Sequence, residues 1–375
     1  MAELDSPLLL LSVCYIVLTY SFVVATPNLS IGKRTAVLLL VLFNLALATT
    51  AALIEPKLSF DLARHYSDLE VIRASDMTFL EFIFNSDRIT SSNYKYMIAF
   101  NAFRYVIAKW FPRNALPFFT VFISSTLLSY VLIDSNKDQR IRNYRIGGSL
   151  GLFFALMHFL FLYSGIRNGL AAAIAAVGLY LLYYKGRWVT CSILILISGT
   201  IHPVVLVTIP ILFLSYIRPR IWYGILAYFL PPVMSFGAKL LITSNSGFLR
   251  MIGGKYYNYM NVYNYYSGKA FTAATLLMDL LILVSIFCIY KYANKDNSNL
   301  TNYIVWYICM DLFFLSNQQI FMRLGYTTAF LSPLIIDRII QDNNSEMRDI
   351  LPFGIYCAIV FVGAYMCYKS AQWML

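Results

Sequence analysis

Residues 7–25, PLLLLSVCYIVLTYSFVVA, and residues 35–54, TAVLLLVLFNLALATTAALI, are two uncharged blocks separated by TPNLSIGKR at 26–34. A helix that crosses the hydrocarbon core needs about 20 residues, and backbone at that depth must satisfy its own hydrogen bonds. Each block therefore reads as a transmembrane helix, and Lys33-Arg34 marks the turn between them. The acidic start Met-Ala-Glu-Leu-Asp lacks the basic n-region of a cleaved signal, so 7–25 reads as a retained first span.

The same alternation runs through the whole chain. Of the 375 residues 59% are hydrophobic, 17% aromatic and only 13% charged, and the mean hydropathy is +0.66. Soluble proteins carry about 25% charged residues, so the reading is an all-α, polytopic helical membrane protein. Spans are expected near 7–25, 35–54, 117–133, 147–164, 169–184, 188–200, 204–217, 221–242, 271–290, 302–317, 320–336 and 350–368, about 12 within a range of 10 to 13. No internal repeat or low-complexity linker divides residues 1–375, which read as a single domain. The six cysteines lie in apolar stretches with no Cys-x-x-Cys pair, which argues against a disulfide framework or a zinc site.

A net charge of +11 would point to nucleic acid in a soluble chain, but here the basic residues sit in the turns. The connections 26–34, 134–146, 185–187, 218–220, 291–301 and 337–349 hold fourteen of the 29 Lys and Arg in 52 positions. By the positive-inside rule they face the cytoplasm, which puts the loops 55–116 and 243–270 and both termini outside. Residues 94–111 are apolar enough to cross, but crossing would carry Lys137, Arg140, Arg142 and Arg145 outside, so they read as an interfacial or re-entrant outer helix. Residues 188–217 are short for two spans and break at Ile201-His202-Pro203; two arms of about 14 residues reach roughly 20 Å each, against a core of about 30 Å. Their turn is expected at the floor of an outer depression, with His202 on it.

Ionisable groups at such depths are candidates for function. Arg167, in Tyr163-Ser-Gly-Ile-Arg-Asn-Gly-Leu-Ala, sits where a guanidinium and a helix N-terminus together suit phosphate oxygens, or where an interface arginine snorkels. Arg323 lies in an outer turn; with Arg167 it suits a diphosphate, and a salt bridge to Asp279 or Asp311 is its structural alternative. His202 precedes Pro203 and is placed for general-base work or for bonding a freed carbonyl. His158, mid-span, reads as structural. In Ser59-Phe-Asp-Leu-Ala-Arg-His-Tyr-Ser-Asp-Leu, Asp61 and His65 stand at i, i+4 and share a helical face if the segment is helical; Arg64, Tyr66 and Asp68 crowd beside them. The tyrosine-rich YYNYMNVYNYY at 256–266 reads as an interfacial aromatic belt or as a surface that stacks on pyranose rings. No Gly-rich phosphate loop, Gly-x-Ser-x-Gly, His-Glu-x-x-His or Asp-x-Asp metal motif is present, so neither a metal nor a nucleotide-sugar donor is called for.

Asp-Leu-x-Arg-His-Tyr after the second span, Gly-Ile-Arg-Asn-Gly-Leu-Ala at a helix start, Ile-His-Pro about 35 residues on and a late Arg-x-x-Tyr resemble, in order and spacing, the EpsG-like branch of the Wzy-type polysaccharide repeat-unit polymerases. The family more often has Gln where Asn168 stands, and Phe or Ser where Pro203 stands. The resemblance implies a glycosyltransferase on the outer face of a bacterial cytoplasmic membrane, making O-antigen, capsule or exopolysaccharide. It would move a growing glycan from undecaprenyl pyrophosphate to a lipid-linked acceptor repeat unit, with no cofactor. Implied partners are that lipid-linked oligosaccharide, membrane lipid, a flippase and a chain-length regulator, and no nucleic acid. On this reading His202, Asp61 and His65 are catalytic and Arg167, Arg323, Arg64 and Tyr66 bind substrate. Competing readings are a lipid-linked oligosaccharide flippase or other transporter, and a membrane acyltransferase or glycan ligase. Transporters favour paired broken helices in related halves, and only one strong break is visible here.

Overall fold

The structure is a computed structural model that describes residues 7–56, 61–91, 94–157, 159–219, 236–247, 249–250, 253–254, 257, 298–313 and 318–341. It falls into two compact units, Met1–Leu206 with Ala329–Leu375, and Val207–Thr328.

In the first unit, α1 (Pro7–Ala25), α2 (Lys33–Leu53), α6 (Ala115–Ser135) and α9 (Ile166–Lys185) are long and apolar enough to cross a membrane. Helix α1 is hydrophobic on every side, and Leu8, Leu11, Val17 and Leu18 stand exposed, as a lipid-facing helix requires. Between α2 and α6 lie α3 (Asp61–Ala74), α4 (Phe79–Asn85) and α5 (Ile98–Trp110). At 13 residues and about 1.5 Å each, α5 covers roughly 20 Å and cannot span. The expected span at 147–164 is instead two helices, α7 (Asn143–Leu156) and α8 (Phe159–Ser164), because Met157 takes an extended conformation at φ −131°, ψ 108°. Helix α10 (Trp188–Ile201) ends at His202 and is followed by a 3-10 turn, Pro203–Val207, so the short arm expected before the break is present. The expected span at 320–336 is likewise interrupted, as α13 (Gln318–Phe330) and α14 (Ser332–Gln341).

The helices end where local chemistry ends them. Gly186 closes α9 in the left-handed region (φ 66°), with its N–H on Leu182 O and the Arg187 N–H on Leu181 O. This tight turn sends α10 back along α9. Thr78 and Glu81 form a reciprocal capping box that starts α4.

The chain is not wholly helical. β1 (Ser30–Gly32) pairs antiparallel with β2 (Arg140–Arg142), Ile31 opposite Ile141. The two basic connections 26–34 and 134–146 are thus joined at one end of the unit. Lys185 reaches Asp134 at 3.2 Å and Arg145 pairs with Asp337, so four connections read as lying on one face meet there.

In the second unit, α11 (Thr208–Leu214) is followed by Ser215 and Ile217, whose carbonyls accept from Asn302 Nδ2 (3.1 Å) and Trp306 Nε1 (2.9 Å) of α12 (Asn299–Phe313). The expected spans 221–242, 271–290 and 350–368 lie wholly or largely outside the described residues, as do the tyrosine-rich stretch and His158.

Candidate functional site

Helix α3 forms because Leu62, His65, Tyr66, Leu69 and Ile72 recur at helical spacing and give one buried stripe. Its partner α5 buries Phe100, Asn101, Arg104, Tyr105, Ile107 and Ala108 in the same rhythm. The two run parallel, and each caps the other's C-terminus. Arg73 donates to Ala108 O (2.9 Å) and Phe111 O (2.7 Å), while Lys109 donates to Ser75 O (2.7 Å) and Arg73 O (3.2 Å). Such crossed capping fixes the register, and with it the polar groups between the helices.

The centre of those groups is the Asp61 carboxylate, 38% exposed. One oxygen pairs with Arg64, one turn on. The other lies 3.5 Å from His65 Nε2 and 3.5 Å from the Arg167 guanidinium. Arg167, on the first turn of α9 and 14% exposed, also lies 5.2 Å from the Tyr94 ring centroid and 3.5 Å from Met97 Sδ. Arg167, expected as a substrate-binding residue, meets the Asp61 and His65 pair although about a hundred residues separate it from them. Tyr66 is buried on the neighbouring face of α3, with Arg113 at 5.2 Å from its ring and Arg113 in turn 3.2 Å from Glu55.

Below this centre lies a residue of the stretch 94–111, which reads as an interfacial or re-entrant helix, and it is not among the candidate site residues. Arg104 is fully buried, 3.0 Å from Asp68 Oδ2, 2.8 Å from Asn101 Oδ1 and 4.0 Å from the Tyr94 ring centroid. A lone arginine in an apolar stretch, with Asn one turn before it, is the signal that could have found it.

Burial raises the Asp61 carboxyl, but the His65 ring, Arg167 and Arg64 outweigh it and leave it well below the ordinary carboxylate range. His65 is wholly buried, and burial brings it down to about 4 against the pull of Asp61, so the ring is neutral at physiological pH. Burial lowers Arg104 to about 10, still a cation, and raises Asp68 despite Arg104. Burial likewise raises the Tyr66 phenol.

His202 caps α10, buried, with Nδ1 accepting from the Val204 N–H at 3.3 Å. Its level follows from the antiparallel register of α9 and α10. Ser198 Oγ donates to Ala171 O at 2.5 Å, and a Cβ on Gly178 would stand 3.4 Å from Cys191 O. Continuing that register four residues sets His202 at the level of Arg167. Arg323 lies half-buried on α13, in the second unit. Within the first unit, Arg167 and Arg64 both meet the Asp61 carboxylate.

Neither the curated proteins nor the solved structures contain a match to this chain. A family model does match: the EpsG family, over residues 64–374, which takes in Arg64, His65, Tyr66, Arg104, Arg167, His202 and Arg323 but not Asp61. With that span, and with apolar helices long enough to cross a bilayer, the chain belongs to the EpsG family of polysaccharide-polymerase-like membrane proteins.

Proposed function

We propose that the protein is a polysaccharide repeat-unit polymerase that moves a glycan from a polyprenyl diphosphate to a hydroxyl of a lipid-linked acceptor repeat unit, without a metal. The observation that carries the reading is the Asp61 carboxylate gathered between Arg64, His65 and Arg167. In the transfer the acceptor oxygen bonds to the anomeric carbon, the bond from that carbon to the diphosphate oxygen breaks, and the acceptor proton passes to Asp61. Arg167 and Arg64 receive the charge that develops on the diphosphate; fixed donors aimed at such charge are usually the largest catalytic contribution. The guanidinium fork suits this because it can bond two phosphate oxygens at once. As the diphosphate engages these arginines it competes with Asp61 for them, and the carboxylate becomes more basic where a base is needed. His202, whose Nδ1 accepts from the Val204 N–H, presents Nε2 as its other hydrogen-bonding atom in this scheme. The exposed apolar flanks of α1 and α2 leave a lipid-carried substrate its route from the bilayer.

The site faces outside, opposite the basic end. An impermeant thiol reagent should leave a cysteine placed by Asp138→Cys unlabelled in intact cells; labelling there reverses the orientation. Membranes supplied with lipid-linked repeat units test the chemistry. Asp61→Asn should cost about 10² to 10⁴ in rate, and Arg167→Lys should impair transfer less than Arg167→Ala. Wild-type chain lengths from Asp61→Asn would end the assignment of the base, and loss of wild-type activity in EDTA would end the metal-free mechanism. A variant that keeps polymerising in vitro but starves cells of outer-face repeat units would favour the flippase.

A further inference from the structure

The α3 face that carries Asp61 continues through His65 to Asp68, and each carboxylate is met by one guanidinium from another helix. Arg167 of α9 stands 3.5 Å from Asp61, and Arg104 of α5 stands 3.0 Å from Asp68. The imidazole lies between the carboxylates, Nε2 3.5 Å from Asp61 Oδ2 and Nδ1 3.9 Å from Asp68 Oδ2, with both nitrogens buried and neither in a hydrogen bond. The Tyr94 and Phe100 rings close on it at centroid distances of 6.0 and 5.4 Å, and α8, also packed on α3, brings the Tyr163 phenol on the Tyr66 side.

An imidazole buried between two unmatched carboxylates takes up a proton, because each negative charge favours the cation. When each carboxylate is matched by an arginine the net field is small, and burial, which disfavours the charged ring, decides. Arg104 is held on three sides to do this matching: by Asp68, by Asn101 and by the face of Tyr94. Asn101 is itself fixed, donating to Ser86 Oγ (2.8 Å) and Tyr94 O (2.9 Å).

We propose that Arg104 is a positioning residue for the transfer reaction: by matching Asp68 from α5 it keeps His65 an uncharged ring facing Asp61, and so leaves Asp61 free to take the acceptor proton. Without Arg104, Asp68 draws a proton onto His65, and Asp61 then faces an imidazolium that weakens it as a base. The role rests on the proposed function, but its first readout does not.

That readout is the titration of His65 by ¹⁵N NMR of histidine-labelled protein in detergent. The chain has three histidines, so comparison with His65→Gln assigns the resonance. The wild-type midpoint is expected at about 4. Arg104→Lys keeps it there, Arg104→Met raises it by about 1 to 3 units, and adding Asp68→Asn to Arg104→Met brings it back down. An unchanged midpoint in Arg104→Met overturns the proposal. Should Arg104→Met alone fail to fold, Asp68→Asn is compared with the double variant: removing Arg104 must still raise the midpoint, and equality overturns the proposal. The acid limb of the transfer rate should follow the midpoint, with Arg104→Lys restoring the wild-type profile. A midpoint that moves while the acid limb stays put overturns the reading of Asp61 as the base, and the positioning role with it.

Discussion

The two ends of the first unit are both rich in charge, and they use it differently. At the basic end the charges are tied to backbone and to one another: Lys33 Nζ donates to Asn136 O (2.6 Å), Arg140 Nε to Ser30 Oγ (2.9 Å), and Arg145 to both Asn136 and Asp337. Asn136 is a keystone there, donating as well to Asp138 O and Arg140 O at 3.1 Å each. At the other end a single half-exposed carboxylate is shared among two arginines and a histidine, at 3.5 Å for two of them, and fully buried His65 nitrogens have no hydrogen bond. Asn143 Oδ1 and Arg145 Nε are also buried without a hydrogen bond at the basic end, so what separates the two ends, scaffold and site, is partnership. The basic end ties its charges to backbone carbonyls and to one another across four connections, whereas the other end gathers several partners on one part-exposed carboxylate.

The largest effect expected from this contrast is on stability at the basic end. Asp337 is 2% exposed and pairs with Arg145, itself 15% exposed, so Asp337→Ala leaves a part-buried guanidinium without its counter-charge and should cost about 3 kcal/mol, the low end for breaking a buried pair. Thermal unfolding in detergent measures it. Asp61→Ala, which removes a more exposed carboxylate, should leave the midpoint within a few degrees of wild type while abolishing transfer. If the two variants behave alike, the division into scaffold and site is wrong.

An effect of similar size is the pH dependence of stability. His65 binds its proton at about 4 in the folded chain and at 6.5 when unfolded. Between those values the unfolded state holds more protons, so stability falls as pH is lowered from about 6.5 to about 4, by on the order of 3 kcal/mol. His65→Gln should remove that part of the acid sensitivity. A wild type that is equally stable at both ends of this window would mean that the ring is charged in the fold.

The smallest effect is expected at Lys185, whose pair with Asp134 is 40% and 36% exposed. Exposed pairs contribute about 0 to 1 kcal/mol, so Lys185→Ala should barely move the unfolding midpoint, and a loss as large as that of Asp337→Ala would place Lys185 among the scaffold contacts.

The sequence by itself determined the class, because a run of about 20 uncharged residues has only one stable way to be a membrane span. Helices α1, α2, α6 and α9 lie where their apolar blocks lie. Of the six connections grouped by basic charge, 26–34 and 134–146 pair as strands, although a β ladder is not written in the charge pattern. The i, i+4 relation of Asp61 and His65 needed only that the segment be helical. What the tertiary structure alone decided is which distant charge meets which. Arg104 carries no role when read along the chain; folded, it is the counter-charge of Asp68, because the mutual capping of α3 and α5 sets their register. Arg167 could have been an interface arginine until α9 brought it to Asp61. Local patterns fix which residues share a helix face, but the desolvation and field at an ionisable group depend on the neighbours that packing supplies, and those come from other helices.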